Sequence, residues 1–308
     1  MDSTDTLVEV DSTDAAVPRR LPHGRGWTLD GLVSTQVAVL GPDPAGAAQS
    51  ALLRRIAAAS RRDCAAIPAN RLPRRVDAMP TLVPAAELAP RPPAAANRGT
   101  ARVALGIGGD ELGVIAVDLG DVGHRLLVGG VPGSGRSTAL LTIAGALLND
   151  GNGVVLVAPR PSPLRALAGR PGVLGSVEDR ADSDRLAGLL RAAPRPLAVI
   201  VDDADYLIDA PLAVELDRLV TQDGPQRPVL VAAGATEALA TTYRPWVVDA
   251  RRSRAGLLLG PRSTLDGELV GVRLPRTAVG RLPPGRGILV IQGEVAPVQV
   301  ALPPEYQV

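Results

Sequence analysis

The segment that most constrains the fold is Gly130–Ser137, which reads GVPGSGRS. It matches the phosphate-loop pattern G-x-x-x-x-G-K-[ST] except that Arg136 replaces the lysine. Glycines let backbone N–H groups close on phosphate oxygens, and a following helix turns the positive end of its dipole towards the anion. The apolar segments LLVGG before the loop and STALLTIAGALL after it predict a buried strand and a helix. The sequence therefore predicts a strand, loop and helix that bind nucleotide phosphates.

ATP and Mg²⁺ are the ligands expected at this loop, with the Ser137 hydroxyl on the metal. The residues assigned to nucleotide binding are Gly130, Val131, Pro132, Gly133, Ser134, Gly135, Arg136, Ser137 and Thr138. The alternative interpretation is a glycine-rich turn in a chain that is rich in glycine throughout. The flanking strand and helix favour the phosphate loop.

An acidic pair follows a continuously apolar segment, Leu197–Asp203, which reads LAVIVDD. Such a segment predicts a strand buried on both faces. We expect this strand to lie next to the phosphate-loop strand, so that Asp202 joins Ser137 in holding Mg²⁺. The alternative role of Asp202 is an ordinary acidic helix cap. Asp203 is the candidate catalytic carboxylate.

The order of predicted elements indicates an α/β fold. Strands are predicted at 102–107, 114–119, 125–128, 154–157, 197–201, 229–232 and 257–259, and helices at 137–148, 182–191 and 212–220. This alternation predicts a mostly parallel sheet covered by helices. It corresponds to one domain over residues 101–308.

Three segments precede that domain. Residues 1–18 are polar and acidic and are predicted to be a disordered tail. Residues 19–60 contain a predicted strand at 35–40 and a helix at 47–59, which form a short adjunct. Residues 61–100 are rich in Pro and Arg and are predicted to be an extended linker.

A short repeat links the two ends of the chain. Residues 20–26 read RLPHGRG and residues 281–287 read RLPPGRG, and a QVA tripeptide follows each copy, at 36–38 and 299–301. The repeat predicts that residues 19–60 are the tail of one module and that a second module ends in the same tail.

Composition excludes several classes of function. A formal net charge of +1 gives no overall field towards nucleic acid or membrane, and 2% aromatic residues argue against base-stacking surfaces. The single cysteine, Cys64, excludes a disulfide framework, and we expect no metal or catalytic role for His23 or His124. The acidic N-terminus and the lack of a long apolar run predict a cytoplasmic protein without direct membrane insertion, which joins a membrane complex only through partners.

The loop, the LAVIVDDAD strand, the linker and the closing LPPGRG segment together resemble the FtsK/SpoIIIE superfamily. The resemblance covers about residues 20–308 and is to the carboxyl-terminal, third-type ATPase modules, including those of EccC in type VII secretion. It implies a RecA-like fold and assembly with other such modules or in a homo-oligomeric ring. The cargo that it implies is DNA or a secreted protein.

This sequence departs from that superfamily at three places. Arg136 replaces its lysine, Asp203 replaces its water-orienting glutamate and is one methylene shorter, and VAAGATEAL at 231–239 lacks its γ-phosphate-sensing polar residue. Arg keeps the charge but has a wider planar fork. The absence of Lys from the whole chain offers codon drift as another cause. We interpret the module as degenerate, with an active motor ATPase as the alternative and a small-molecule kinase as a weaker one.

Six further residues are weaker candidates. Arg251, Arg252 and Arg254 can form an arginine finger or a solvated basic turn. Arg160 and Arg165 can face a partner, although nothing separates them from the many other arginines. Trp246 is predicted to pack in the core or to anchor an interface.

Overall fold

A computed structural model of the chain describes residues 24–27, 34–65, 67–68, 71, 77–88, 101–222, 224 and 227–303. The predicted tail at 1–18 and the first residues of the RLPHGRG copy lie outside these ranges. The chain divides into two compact units, Met1–Arg75 and Val76–Val308. No helix among the described residues is long and apolar enough to cross a membrane.

The second unit is built on a 10-stranded sheet. Its strands are β3 (Arg102–Gly108), β4 (Gly113–Asp118), β5 (Arg125–Gly130), β6 (Gly153–Val157), β7 (Val173–Val177), β8 (Leu197–Val201), β9 (Val229–Gly234), β10 (Ala255–Leu259), β11 (Arg286–Ile291) and β12 (Glu294–Val300), and strands β1 and β2 belong to the first unit. The strand order across the sheet is β4-β3-β12-β11-β10-β5-β9-β8-β6-β7. Strands β10, β5, β9, β8, β6 and β7 pair in parallel, and β11, β12, β3 and β4 continue the sheet in antiparallel ladders.

Helices cover both faces of the sheet. They are α2 (Arg136–Asn149), α3 (Ser183–Ala192), α4 (Ala213–Val220), α5 (Thr236–Thr241) and α6 (Pro245–Arg252). Successive side chains of a strand point to opposite faces. Leu126 and Val128 of β5 accordingly pack in the α2 core, whereas Leu127 packs in the core that contains Leu216 of α4 and Trp246 of α6. The α/β class and the mostly parallel, helix-covered sheet are confirmed.

The first unit contains the predicted strand and helix in altered form. Strand β2 (Ser34–Gln36) pairs in antiparallel fashion with β1 (Arg25–Trp27), which the sequence analysis missed. Helix α1 runs from Gly46 to Cys64 and buries none of its residues. The strand predicted at 35–40 ends at Gln36, and the next residue still donates from its N–H to the Gly24 carbonyl at 2.7 Å.

Residues 77–88, which lie within the predicted linker, pack as part of the second unit. Val83 and Leu88 are buried against Ala301 at the end of the second unit. Two backbone hydrogen bonds fix this contact, from the Ala85 N–H to the Leu302 carbonyl at 2.9 Å and from the Leu302 N–H to the Val83 carbonyl at 2.7 Å. We refer to residues 77–88 as the leading segment, because they pack as part of the second unit.

Two truncations test this division of the chain. Removal of residues 1–75 should leave the melting temperature of the second unit within about 2 °C of the parent, because its core is retained. Removal of residues 1–88 should lower it by about 4 °C or more, because Val83 and Leu88 leave apolar surface exposed. Differential scanning calorimetry measures both. Equal melting of the two truncations, or loss of folding on removal of residues 1–75, would contradict the division.

Candidate phosphate-binding site

The phosphate loop joins the buried end of β5 to the first turn of α2. Gly133 and Gly135 adopt φ values of +77° and +101°, in the left-handed region that favours glycine. A Cβ added at Gly130 would lie 2.5 Å from Ser134 Oγ and 2.9 Å from the Leu259 carbonyl oxygen. The backbone conformation of the loop therefore depends on its glycines, as the sequence predicts.

Two observations show that this loop fits a phosphate group. A buried hydroxyl, Ser134 Oγ, has no hydrogen-bond partner among the described residues. Helix α2 begins at Arg136 without a side-chain cap, so its first N–H groups and its dipole face the loop. Val131, Pro132, Ser137 and Thr138 are at least partly exposed around it.

Arg136 folds back across the entrance of the loop. Its Nη1 donates to the Gly130 carbonyl at 3.2 Å, and its Nη2 lies 3.8 Å from Asp203 Oδ1. The two side chains are only 14% and 19% exposed, so solvent screens this ion pair less than one on the surface. The two departures at Arg136 and Asp203 therefore contact each other, a relationship that their separation in sequence conceals.

Asp202 lies at the same sheet edge as the loop, because β5 and β8 run parallel and both end there. The expectation that these two strands are neighbours is wrong, since β9 lies between them. Asp202 is 2% exposed, and its Oδ1 accepts from the Asp203 N–H at 3.0 Å. Its Oδ2 accepts from Ser162 Oγ at 2.6 Å.

Ser162 was missed by the sequence analysis. It follows β6, and its hydroxyl also accepts from the Leu164 N–H at 3.2 Å, so it caps the turn at 163–167. It orients the Asp202 carboxylate from a position 40 residues away in sequence. No local signal distinguishes Ser162 from other serines that precede a proline.

The residues present provide few direct metal ligands. Within the described part of the chain, no three His, Cys, Asp or Glu side chains come together in a metal-binding group. Mg²⁺ in nucleotide sites commonly takes one or two protein ligands and completes its shell with phosphates and water. The predicted pair of Ser137 and Asp202 matches that small number.

Asp203 has an unusual electrostatic environment. Burial raises the pKa of its carboxyl above the ordinary value, and the adjacent Asp202 carboxylate raises it further, while Arg160 and Arg136 oppose the shift. Its backbone adopts φ +48°, a left-handed conformation that costs energy for a residue with a side chain. Asp203 is therefore strained at the position proposed for catalysis.

The turn that leads into β11, residues 281–285, closes one side of the phosphate loop, and we call it the closing turn. The Gly285 N–H donates to the Ser134 carbonyl at 3.0 Å, and a Cβ added at Gly135 would lie 3.1 Å from the Gly285 nitrogen. Arg286 donates from Nε to Gln299 Oε1 at 2.8 Å. Its Nη2 donates to the Met79 and Pro80 carbonyls at 3.1 and 2.6 Å, so Arg286 also holds the leading segment.

A cavity of about 280 Å³ opens beside the loop between these elements. It is lined by the leading segment, the start of α2, the closing turn and the end of β12 (Thr81, Leu82, Val83, Gly135, Thr138, Ala139, Pro284, Gly285, Gln299, Val300, Ala301 and Leu302). Its lining of apolar side chains and backbone polar groups is suited to a flat ring system that carries some polar atoms. Sequence reasoning missed the cavity because three of its residues lie in the predicted linker.

Thr236 lies just beyond the end of β9. A Cβ added at Gly129 would lie 2.9 Å from Thr236 Oγ1. Thr236 therefore places its hydroxyl against the strand that enters the phosphate loop. It is the first residue of α5 and belongs to the VAAGATEAL segment at 231–239.

The weaker candidates have structural partners. Arg251 and Arg254 donate to the Thr242 and Gly271 carbonyls, each at 3.1 Å, and both precede β10 at the sheet edge opposite the phosphate loop. Arg165 pairs with Glu178 at 2.8 Å. Trp246 is fully buried, so its predicted role in core packing is confirmed.

Arg160 is different from these arginines. Its guanidinium lies 5.3 Å from the centre of the Tyr206 ring, and Arg180 stacks on the same ring at 4.4 Å. Because Arg160 also lowers the pKa of Asp203, it belongs to the electrostatic surroundings of the site. The structure therefore separates Arg160 from the background of other arginines.

Comparison with solved structures identifies the fold. EccC from Thermomonospora curvata (ATPases 2 and 3, in complex with a signal sequence peptide) is 21% identical with a TM-score of 0.62, covering 91% of this chain and 53% of that one. EssC from Geobacillus thermodenitrificans (ATPases 2 and 3) is 13% identical with a TM-score of 0.61, covering 94% and 57%. The cytoplasmic domain of the Thermomonospora curvata type VII secretion ATPase EccC is 22% identical with a TM-score of 0.59, covering 91% and 34%.

The chain thus spans between about a third and just over half of these proteins. At such identities the likeness shows the fold alone, and it confirms the predicted RecA-like P-loop ATPase arrangement. No protein-family model matches the chain. No curated protein matches it either.

The raised pKa of Asp203 predicts a pH-dependent stability effect. Above the folded-state pKa the ionised carboxylate destabilises the fold, and below the unfolded value of about 3.9 it does not. Asp203→Asn should therefore raise the melting temperature by about 1–2 °C at pH 7, and the gain should disappear below about pH 3.9. Thermal melts of both proteins across this pH range test the prediction.

Asp209→Asn, at an exposed position six residues further along the chain, serves as the control and should leave the melting temperature unchanged. A lower melting temperature for Asp203→Asn at pH 7 would show that the ion pair with Arg136 outweighs the cost of burial.

Proposed function

We propose that this chain is an ATP-binding module of the FtsK/SpoIIIE type that hydrolyses ATP slowly. In this proposal it regulates or completes a larger ATPase assembly similar to type VII secretion. The observation that carries the proposal is the contact between Arg136 and Asp203, which joins the two departures from an active site in one ion pair.

Binding is supported by the geometry of the loop. Its glycines leave the backbone accessible, and the N-terminus of α2 favours an anion. Ser137 and Asp202 would hold Mg²⁺, with Asp202 oriented by Ser162. The cavity beside Gly135 would receive the nucleoside, because it lies next to the phosphate loop and offers apolar walls.

Slow turnover is supported by the same side chains. MgATP, when bound, supplies the phosphoryl group that transfers to water. Arg136 donates to the Gly130 carbonyl, so its charge is directed along the loop and towards Asp203 instead of being free to follow a phosphate oxygen. Asp203 is engaged by Arg136 and is one methylene shorter than a glutamate, so it is poorly placed to orient water.

The partners proposed are other FtsK/SpoIIIE-type modules, either in tandem or in a homo-oligomeric ring. The EccC structure contains a signal sequence peptide. A secreted protein is therefore the cargo class that we favour over DNA, in keeping with the net charge of +1. The alternative is an active motor that moves DNA or protein, since Arg136 retains the positive charge of the loop.

Calorimetric titration tests the binding proposal. The wild-type chain should bind ATP·Mg²⁺, and Gly135→Val should lower the affinity by at least about tenfold. Valine is strained at φ +101°, and its side chain would enter the space between the loop and Gly285. Gly169→Val is the matched control, because that glycine lies in open space without a left-handed φ. Absence of nucleotide binding by the wild type would refute the proposal.

Steady-state hydrolysis tests the slow-turnover proposal. The wild type should turn over very slowly, and Arg136→Lys or Asp203→Glu alone should raise the rate by less than about tenfold. The double variant should gain more than the product of the two effects, because contacting residues are not additive. The assay is run alone and with a neighbouring FtsK/SpoIIIE-type module. Fast hydrolysis by the wild type that Asp202→Ala abolishes would establish the motor alternative.

A further inference from the structure

The two repeat copies have the same local structure. Gly24 and Gly285 adopt φ values of +77° and +75°. The carbonyl of each accepts a backbone hydrogen bond from a valine beyond the QVA glutamine, from the Val37 N–H at 2.7 Å and from the Val300 N–H at 2.8 Å. The two copies therefore share a backbone conformation as well as a sequence, so the repeat is not only a coincidence of Gly, Pro and Arg usage.

Strand register and side-chain pairing are also repeated. Arg25 faces Gln36 across β1 and β2, as Arg286 faces Gln299 across β11 and β12. In each pair the arginine Nε donates to the glutamine Oε1, at 3.3 Å and 2.8 Å respectively. We call residues 24–27 and 34–40 together the first hairpin, and residues 285–303 the closing hairpin.

The closing hairpin has a defined binding place on the second unit. Its strand β11 pairs with β10, and a Cβ added at Gly287 would lie 2.3 Å from the Leu258 carbonyl oxygen, so that glycine permits the close approach. The Gly285 N–H donates to the phosphate loop, as described above. Thr142 of α2 donates to the Ala301 carbonyl at 2.7 Å and holds the end of the hairpin.

The first hairpin has no such environment within the described residues. Its sheet contains β1 and β2 and no third described strand. Val37 is 69% exposed, whereas the equivalent Val300 is 6% exposed. Val39 and Leu40 are exposed at 57% and 48%, although their equivalents Leu302 and Pro303 are partly or fully buried. The apolar residues 37–40 are thus exposed to solvent, although the matching residues 300–303 of the closing hairpin are mostly buried.

We infer that the first hairpin is the closing hairpin of a different P-loop domain of the same fold. It binds beside the phosphate loop of that domain and along its last parallel strand. The Gly24 N–H donates to the loop carbonyl that corresponds to the Ser134 carbonyl, and Val37, Val39 and Leu40 become buried. A second copy of this chain is not the partner, because its own closing hairpin already occupies that position.

Paired valine substitutions in the full chain give the first test. Gly285→Val should lower the melting temperature of the second unit by about 4 °C or more, because valine is strained in the left-handed region. Gly24→Val has the same local strain and should leave that melting temperature unchanged. Sedimentation should show the same molecular mass for both proteins. An equal fall in melting temperature in Gly24→Val, or dissociation of an oligomer by that substitution, overturns the inference.

A hairpin exchange in the full chain gives the second test. Replacement of residues 285–300 by residues 24–37 should preserve cooperative melting within about 5 °C of the parent, because both hairpins fit the same place. Gly24→Val within the graft should then lower the melting temperature as much as Gly285→Val does in the parent. The matched control is replacement by residues 103–118, an apolar hairpin of the same sheet without the Arg–Gln pair, which should abolish cooperative melting.

Equal loss of cooperative melting in both exchanges overturns the inference. The inference is also overturned if Gly24→Val leaves the melting temperature of the chain with the grafted hairpin unchanged. None of these readouts requires nucleotide, so they remain informative if the proposed ATP binding fails.

Discussion

The phosphate loop depends on the closing turn, whose Gly285 N–H donates to the Ser134 carbonyl at 3.0 Å. This bond connects the edge of the parallel sheet that carries the phosphate loop to the last two strands of the fold. Arg286, the next residue, extends the connection to the leading segment through two backbone carbonyls. The loop, the cavity and both ends of the second unit therefore form one hydrogen-bonded structure, and a change at Gly285 affects all of them.

The Arg136–Asp203 ion pair gives a physical reason to consider the two substitutions together. Burial and the adjacent Asp202 carboxylate both disfavour the ionised form of Asp203. The surroundings of the Asp203 carboxylate therefore depend on which side chain stands at position 136. Arg136 partly offsets that cost. A lysine at the same place is a more compact point charge and has no planar fork to span from the Gly130 carbonyl to a carboxylate. In the proposed function, the loop backbone binds the phosphates and this pair of side chains slows hydrolysis.

Much of the fold was predictable because it is encoded in local patterns. The continuously apolar segment at β8 was placed at its observed bounds, and the glycines of the phosphate loop predicted a backbone that only glycine permits. The strands β11 and β12 were not predicted, since Pro297 and the glycines around them interrupt the pattern, and they are stabilised by pairing with β10 and β3. Local patterns do not report strand order either, which is why β9 was not placed between β5 and β8.

The side-chain contacts of the site were the least predictable part. Ser162 reaches Asp202 across 40 residues, and Arg136 reaches Asp203 only because parallel strands end at one sheet edge. In the proposed function this edge binds a nucleotide, with its phosphates on the loop and its nucleoside in the cavity beside the closing turn. Amide hydrogen exchange measured with and without ATP·Mg²⁺ tests that binding directly. We expect slower exchange at residues 133–138 together with the cavity-lining segments 81–83 and 299–302. Unchanged exchange at the loop, or protection confined to other regions, would contradict it.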